Sequence, residues 1–344
     1  ENMNIPGTDR AFVVIGENIH TTRVLLRKGK LVGDDPNGIE SIRFRDDDNN
    51  RRFLNIPEDV KKTQDYEEGR VKHLKIAIQQ AMHDSEDGLG YLKRQIQRQE
   101  DAGADFLDLN VDEISLKEEE QKDAIRWLVK KVGALSDTPL SIDSSKFEIL
   151  EAGLEAGADH PKRLLLNSAS LERPEVLEMA KAHNAQVVVT AAGESGMPAG
   201  PEERVDHASQ MIDRAIALGL PLTDLYVDPL YFPISVDKDF GNHAIEAIRQ
   251  IREKYGPDIY ISGGFSNVSF GLPCRHLIND VFLFLAVEAG ADSAIIDPTT
   301  ASMEEIFNMD RELRPYQLAE DMLLGKDEYC AAFLRAYRKG ELNN

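Results

Sequence analysis

The sequence has 344 residues, of which 42% are hydrophobic and 29% charged, so the chain can bury a large core as a globular protein. Its formal net charge of −21 repels phosphate backbones and anionic lipids, so we expect neither nucleic acid nor a membrane surface as a partner. Two cysteines are too few for a disulfide framework or a three-thiolate zinc site, and they favour a cytoplasmic location. No apolar run approaches the roughly 18 residues that span a bilayer, so we expect a soluble protein.

Eight short apolar segments alternate along the chain with longer segments whose apolar residues recur about every 3.6 positions, as in "EEEQKDAIRWLVKKVGAL". Glycine turns such as "EAGAD" precede several of the short segments and end the helical ones. Eight strands alternating with helices predict one α/β domain over 1–344, a (β/α)₈ barrel. The predicted strands are 11–15, 104–110, 139–143, 163–167, 185–190, 224–228, 258–262 and 292–297.

Residues 21–88 interrupt this rhythm and form an insertion after the first strand. The insertion contains the charged segment "RFRDDDNNRRF", which we interpret as a solvated turn because it lacks the spacing of a calcium loop. A helix is predicted within 58–85, and a long insertion on a catalytic-face loop is expected to act as a lid or docking element. Residues 299–344 are predicted to form a C-terminal helical segment.

Polar side chains stand at the carboxyl ends of most predicted strands, where a barrel of this kind keeps its active site. Any one of them is more often a turn or helix-cap residue, but their convergence on one rim favours a binding site. These residues are Glu17, Asn18, Asp108, Asn110, Asp143, Asn167, Asp228, Ser266, Asn267 and Asp297.

This set contains acids and amides but no strand-end lysine, clustered histidines or thiolates, so we assign no metal and no Schiff base. Carboxylates accept paired N–H groups, and an asparagine complements a carbonyl and a ring nitrogen together. A pterin has such an edge. Another planar heterocycle stays open as an alternative.

Several motifs resemble a known family in the expected order. "LSIDSSKFEILEAGLE", "LLLNSASLE", "DLNVDE" and "ISGGFSNVSF" resemble the folate-binding domain of cobalamin-dependent methionine synthase. "LYVDPLYFP", "SNVS" and "CRHLIND" are similar to the methyltetrahydrofolate:corrinoid/iron-sulfur protein methyltransferases. Both belong to the pterin-binding (β/α)₈ family that includes dihydropteroate synthase. The likeness covers about 11–19 and 89–298, and the insertion has no counterpart in it.

The resemblance implies that Asp143, Asn167 and Asp228 hold the pterin ring, with Glu17, Asp108 and Asn110 at the same mouth. It further implies that Gly264, Ser266 and Asn267 form a loop over the ring. Arg275 matches a family arginine that either contacts the pterin or supports the loop.

The chemistry implied is transfer of a methyl group between N5 of tetrahydrofolate and the cobalt of a corrinoid, with 5-methyltetrahydrofolate as the methylated form. N5 is a poor leaving group, so it needs a proton or a strong hydrogen bond as the bond to the methyl breaks. Asn267 resembles the family residue beside N5, and Asp143 could relay a proton through water. The sequence does not fix the direction of transfer, and we favour demethylation.

The sequence contains no corrinoid-binding DxHxxG motif, so we expect the cobalamin to be carried by a separate corrinoid protein. We also expect a homodimer. A dihydropteroate synthase-like enzyme is an alternative, although the basic cluster and S-x-R-H ending of that family are missing. A non-catalytic folate-binding subunit is a second alternative.

Overall fold

The structure, a computed structural model, describes residues 3–342 and contains a (β/α)₈ barrel, as predicted. Residues 1, 2, 343 and 344, which the predicted domain and C-terminal segment include, lie outside the described residues. In chain order, the strands are β1 (Val13–His20), β2 (Leu25–Leu26), β3 (Val32–Asp34), β4 (Glu40–Arg45), β5 (Arg51–Asn55), β6 (Arg70–Val71), β7 (Phe106–Asn110), β8 (Leu140–Asp143), β9 (Leu165–Ala169), β10 (Gln186–Thr190), β11 (Leu225–Asp228), β12 (Tyr260–Ile261) and β13 (Ser293–Ile296). Eight of them form one sheet in the order β12-β11-β10-β9-β8-β7-β1-β13.

Several of the helices follow from amphipathic segments whose first turns contain two or three acids. Glu118 and its two acidic neighbours complement the positive end of one long helix, and the Ser85 hydroxyl caps another by accepting the Gly88 N–H at 3.1 Å. The helices are α1 (Gln64–Glu67), α2 (His73–Met82), α3 (Glu86–Asp101), α4 (Glu118–Leu135), α5 (Phe147–Ala156), α6 (Val176–Ala182), α7 (Pro201–Ala217), α8 (Phe240–Tyr255), α9 (Arg275–Ala289), α10 (Met303–Phe307), α11 (Arg314–Leu323) and α12 (Ala331–Arg338), with short 3₁₀ helices at Val60–Lys62, Leu222–Asp224, Phe265–Ser269 and Glu328–Cys330.

The chain divides into two compact units, and one of them is Gly16–Leu165. We call it the N-terminal unit. It contains β7 and β8, which pair in parallel, and the antiparallel sheet β3-β4-β5 of the insertion. The insertion has its own core, in which Ile42, Leu54, Val71 and Leu74 are fully buried. This apolar burial stabilises the insertion as a folded element.

The predicted helix within 58–85 is wrong in part. The segment breaks into a 3₁₀ turn, the short helix α1, strand β6 and only then α2. Gly69 separates α1 from β6 with a positive φ of 84°, a conformation that favours glycine and ends a helix. The predicted turn at "DDDNN" is confirmed, since β4 ends at Arg45 and β5 begins at Arg51.

The rest of the described chain forms the C-terminal unit. It contains β10, β11 and β12, which pair in parallel, with Thr190 opposite Asp228 in the register. Its core is made of fully buried aliphatic residues of these strands together with Phe282 and Val281 of α9. Helices α10, α11 and α12 lie in the predicted C-terminal segment. No helix among residues 3–342 is long and apolar enough to cross a membrane.

Candidate functional site

A cavity of about 340 Å³ opens in the C-terminal unit beside the end of β11. Asp228, the last residue of β11, lines it together with Asn267 from the 3₁₀ helix Phe265–Ser269. The other lining residues are aromatic or aliphatic: Met197, Leu230, Tyr231, Phe232, Pro233 and Phe270. We call this cavity the Asp228 pocket. A small, largely apolar cavity with two convergent polar groups is typical of a small-molecule site.

The Asp228 carboxylate lies in a largely apolar environment. Burial raises the pKa of Asp228 to about 6, although the Leu230 N–H and the Arg204 guanidinium act in the opposite direction. The Leu230 N–H donates to Asp228 Oδ1 at 2.8 Å. At neutral pH the side chain is therefore mainly an ionised acceptor, and its ionisation responds to mild acid.

The chain bends closely around this carboxylate at Gly263. A Cβ at this position would lie 2.4 Å from Tyr231 Cε2 and 2.6 Å from Asp228 Oδ1, and the φ of Gly263 is +133°. Both the contacts and the backbone conformation therefore require glycine. Tyr231, whose hydroxyl donates to the Ser262 carbonyl at 2.9 Å, stacks on Phe265 with ring centroids 4.3 Å apart. These contacts fix one wall of the pocket.

The segment predicted as a loop over the ligand is a 3₁₀ helix. Among the described residues, the Asn267 side-chain amide has no hydrogen-bond partner, and it lies exposed at the pocket. Arg275, the first residue of α9, donates to the Ser266 carbonyl at 2.8 Å and to Ser269 Oγ at 3.0 Å. Of the two roles implied for Arg275, the structure shows the contact that supports this segment.

Arg204, which the sequence analysis did not single out, is fully buried beside the same strand end. Its Nε donates to the Leu230 carbonyl at 3.2 Å, and its guanidinium lies 4.7 Å from the centroid of the Phe232 ring. Among the described residues, neither terminal nitrogen of Arg204 has a hydrogen-bond partner. Burial lowers the pKa of Arg204. Its cation opposes the desolvation of Asp228, so Arg204 helps to set the charge of the pocket.

A second group of predicted residues lies in the N-terminal unit. Asp143 ends β8, and Asn110 ends the neighbouring strand β7. Asn110 Nδ2 donates to Asp143 Oδ2 at 3.0 Å, while Asn110 Oδ1 accepts the Asp112 N–H at 2.9 Å. These two bonds fix which end of the amide is the donor. We call Asn110, Asp143 and His20 the Asp143 cluster.

His20 ends β1 and contacts the same carboxylate, with Nε2 at 3.4 Å from Asp143 Oδ2. Its other ring nitrogen, Nδ1, accepts the Thr22 N–H at 3.3 Å and lies 2.6 Å from the Thr22 hydroxyl. Because Nδ1 accepts the Thr22 N–H, Nε2 is the ring nitrogen that faces Asp143. Within the cluster, Asp143 therefore accepts a hydrogen bond from Asn110 and has a longer polar contact with His20.

The remaining predicted residues have other surroundings. Asp108 is only 1% exposed and accepts a bond from the Ser141 hydroxyl, and Glu17 Oε1 lies 3.7 Å from Arg23 Nη1. Glu17 and Asn18 lie inside β1, which continues to His20, and Asn167 lies two residues before the end of β9. Asp297 accepts the Thr299 N–H and hydroxyl, as a turn residue does. Within residues 3–342, no group of three or more histidine, cysteine, aspartate or glutamate side chains could hold a metal ion.

The sequence is similar to a known family and to proteins of known activity. A family model described as "Pterin binding enzyme" matches residues 78–297. A methylcorrinoid:tetrahydrofolate methyltransferase from Eubacterium limosum is 32% identical over 253 residues, which cover 71% of this chain and 86% of that protein. A methionine synthase from Mycobacterium tuberculosis is 31% identical over 212 residues, which cover 56% of this chain but only 17% of that longer protein.

Among solved structures, a dihydropteroate synthase from Stenotrophomonas maltophilia superposes with a TM-score of 0.52 at 20% identity, covering 64% of this chain and 86% of that one. At this identity the likeness concerns the fold alone. The matched family region begins inside α2 and ends at Asp297, so most of the insertion precedes it.

Proposed function

We propose, because this chain belongs to the pterin-binding enzyme family, that it moves a methyl group between N5 of tetrahydrofolate and the cobalt of a corrinoid on a separate corrinoid protein. The observation that carries the proposal is the Asp228 pocket, where an ionisable acceptor and an unpartnered amide face one apolar cavity. The methyltransferase relative from Eubacterium limosum, matched over 86% of its length, supports this choice of reaction.

Asp228 is proposed to recognise the pterin. Its carboxylate offers two acceptor oxygens to the adjacent N–H groups of the 2-amino-pyrimidinone edge. One of these oxygens, Oδ1, also keeps its hydrogen bond from the Leu230 N–H. The apolar walls exclude water and strengthen these bonds. Asn167 and Asp143 are proposed to contact the same ring, with Asn110 and Glu17 at its margin, as the family resemblance implies. Asp108 is proposed to support Asn110 from within β7.

Asn267 is proposed to act on the reacting nitrogen. When the bond between N5 and the methyl carbon breaks, its electron pair stays on N5, and the Asn267 N–H donates to that growing lone pair. An amide does not release a proton, so N5 is protonated from water, which Asp143 is proposed to position. In the reverse direction the same groups stabilise the same transition state.

The rim of the Asp228 pocket fits an apolar partner surface. Met197 and Phe270 are 67% and 65% exposed although both line the pocket. A corrin macrocycle carried by a partner would cover such side chains and, with its cobalt, supply or accept the methyl group. We further propose demethylation as the physiological direction, a cytoplasmic location and a homodimer.

Three assays on the full chain separate the candidate functions. The first is calorimetric titration with tetrahydrofolate, the second is methyl exchange with free cobalamin in both directions, and the third is dihydropteroate formation. The proposal expects binding and methyl exchange without dihydropteroate formation. If the chain binds tetrahydrofolate but exchanges no methyl group with free cobalamin or any corrinoid protein, it is a folate-binding subunit. If it forms dihydropteroate, it is a dihydropteroate synthase-like enzyme.

A further inference from the structure

A second cavity, of about 710 Å³, lies within the N-terminal unit, between the insertion and helix α3. Its walls come from β4, β5, the segment before β4 and helix α3. Six arginines line it, against two aspartates, in a chain whose net charge is −21. The arginines are Arg43, Arg45, Arg51, Arg52, Arg94 and Arg98. We call this cavity the arginine pocket.

Two pairs of these arginines are close enough in the fold for their positive charges to repel each other. Arg45 and Arg51 lie directly opposite each other in the β4-β5 register, where like charges destabilise a sheet. Arg94 and Arg98 are one turn apart on α3 and therefore share a face, where like charges also repel. A bound anion would relieve this repulsion.

The structure supplies little carboxylate compensation for five of the six. Within residues 3–342, the arginines that form no ion pair with a carboxylate are Arg43, Arg45, Arg51, Arg94 and Arg98. By contrast, Arg52 Nε lies 2.8 Å from Asp87 Oδ1. Arg45 donates to the Asn49 carbonyl at 2.7 Å, and the other four guanidinium groups are available donors.

One of the two aspartates of the pocket is already engaged by backbone N–H groups. Asp35 Oδ1 already accepts the N–H groups of Asn37 and Ile39, at 2.8 and 2.9 Å. The guanidinium of Arg43 lies over Gly33, where a Cβ would be only 2.1 Å from Arg43 Nη2. The absence of a side chain at Gly33 thus leaves space for this cation beside the pocket.

Aromatic side chains provide the apolar part of the wall. Phe44 meets Tyr91 edge to face, with ring centroids 5.2 Å apart, and Phe53 lies opposite Arg43 in the sheet register. Both phenylalanines are only partly buried. Flat apolar surfaces beside guanidinium groups favour a planar ring that carries negative charges.

We propose that the arginine pocket binds a small organic polyanion with a planar ring, bearing two or more phosphates or carboxylates. The volume of the cavity is in the range of small-molecule sites. Guanidinium groups bind phosphates and carboxylates with paired, charge-assisted hydrogen bonds, and the aromatic wall holds the ring. This site is independent of the proposed methyl transfer.

The test is calorimetric titration of the full chain with four probes at concentrations up to about 1 mM, the range of weak specific binding. ATP supplies phosphates on a ring, and p-aminobenzoyl-triglutamate supplies carboxylates on a ring. Tripolyphosphate supplies charge alone, and adenosine supplies a ring alone. The proposal expects one of the first two to bind at least about tenfold more tightly than either single-feature probe.

The double variant Arg94→Gln with Arg98→Gln should weaken that binding at least about tenfold, because two charge-assisted contacts are lost. The control, Arg126→Gln with Arg249→Gln, makes the same charge change at two surface helix pairs and should leave binding unchanged. If the α3 variant does not fold, Arg51→Gln on the exposed face of β5 replaces it.

Failure of all four probes to bind would overturn the proposal. Equal weakening by the control variant would also overturn it, since the effect would then be one of net charge. Equal affinity for tripolyphosphate and ATP would contradict the proposal that the ligand carries a planar ring. If the wild-type chain binds none of the small molecules, and the Arg94→Gln, Arg98→Gln variant no longer docks a corrinoid protein, the arginine pocket is a protein interface instead.

Discussion

Two side chains of the Asp228 pocket have complementary chemistry. Asp228 offers acceptor oxygens and can change its charge near neutral pH, whereas Asn267 offers a neutral amide without a partner among the described residues. Asp228 is suited to binding the N–H donors of the ligand, which do not change during the reaction. Asn267 is suited to stabilising the charge that develops during the reaction. Their roles are therefore separable by experiment.

Replacement of Asn267 with alanine should lower kcat about 100-fold, because a donor that acts mainly in the transition state is lost. The Kd for tetrahydrofolate should rise by less than about threefold, since a neutral, exposed hydrogen bond adds little to binding. Steady-state kinetics and calorimetry on the same preparation provide the two numbers. Asn37→Ala, in an exposed turn, is the control. Equal losses in kcat and affinity would make Asn267 a binding residue only.

Folate affinity should decrease in mild acid because Asp228 must be ionised to accept two N–H groups. Burial raises the pKa of Asp228 to about 6, so affinity should be nearly constant well above that pH. Below it, affinity should fall up to about tenfold per pH unit as the carboxyl takes up a proton. Calorimetric titrations from neutral to mildly acidic pH measure this dependence.

The Asp228→Asn variant tests the assignment of that pH dependence. Its amide presents N–H donors to the donors of the pterin, so binding should weaken about 100-fold or more. The residual binding should lose the transition near pH 6. A transition that persists in the variant would show that another group, or the ligand itself, is titrating.

At the scale of elements, the 3₁₀ helix Phe265–Ser269 depends on α9 for its position. Arg275 contributes two hydrogen bonds to it, at 2.8 and 3.0 Å. Arg275→Met should therefore lower kcat about tenfold through misplacement of Asn267, with Arg275→Lys less affected. Amide hydrogen exchange at 265–269 should accelerate in the same order.

Arg249→Met on the exposed surface of α8 is the matched control for this variant, since its ion pair with Glu246 is long at 3.7 Å. A loss of activity in Arg275→Met without faster exchange would contradict a positioning role. It would indicate instead that the arginine contacts the ligand.

Much of the barrel was predictable because strand periodicity and turn glycines are local signals. The sheet strands lie within about two residues of their predicted positions at most ends, and Asp143 and Asp228 end their strands as expected. The first strand was less predictable. Its continuation to His20 depends on packing, such as the bond from the Asn18 N–H to Gln99 Oε1 at 3.0 Å. No local pattern encodes that contact.

Arg204 illustrates what the sequence could not provide. An arginine in the first turn of an amphipathic helix is ordinarily exposed, yet this one is fully buried beside Leu230 and Phe232. Its burial depends on residues about 26 positions away, beyond the reach of helical spacing. The signal in the sequence that could have linked Arg204 to the site was its position on α7, the α-helix that precedes β11.

For the whole molecule, charge and site chemistry differ from place to place. The net charge of −21 argues against polyanion partners in general, but the arginine pocket concentrates unpaired cations between the insertion and helix α3. Overall charge thus describes the average surface and not each site. Most of the insertion precedes the matched family region, whereas Arg94 and Arg98 of the arginine pocket lie inside that region.

The most direct test of the account is transfer of an isotope-labelled methyl group from 5-methyltetrahydrofolate to free reduced cobalamin by the purified full chain. We predict that labelled methylcobalamin accumulates with the wild-type chain. With Asp228→Asn at the same folate concentration, accumulation should fall at least about 100-fold. Wild-type chain that binds the folate with micromolar or better affinity yet transfers no label, to free cobalamin or to any corrinoid protein, would contradict the central claim.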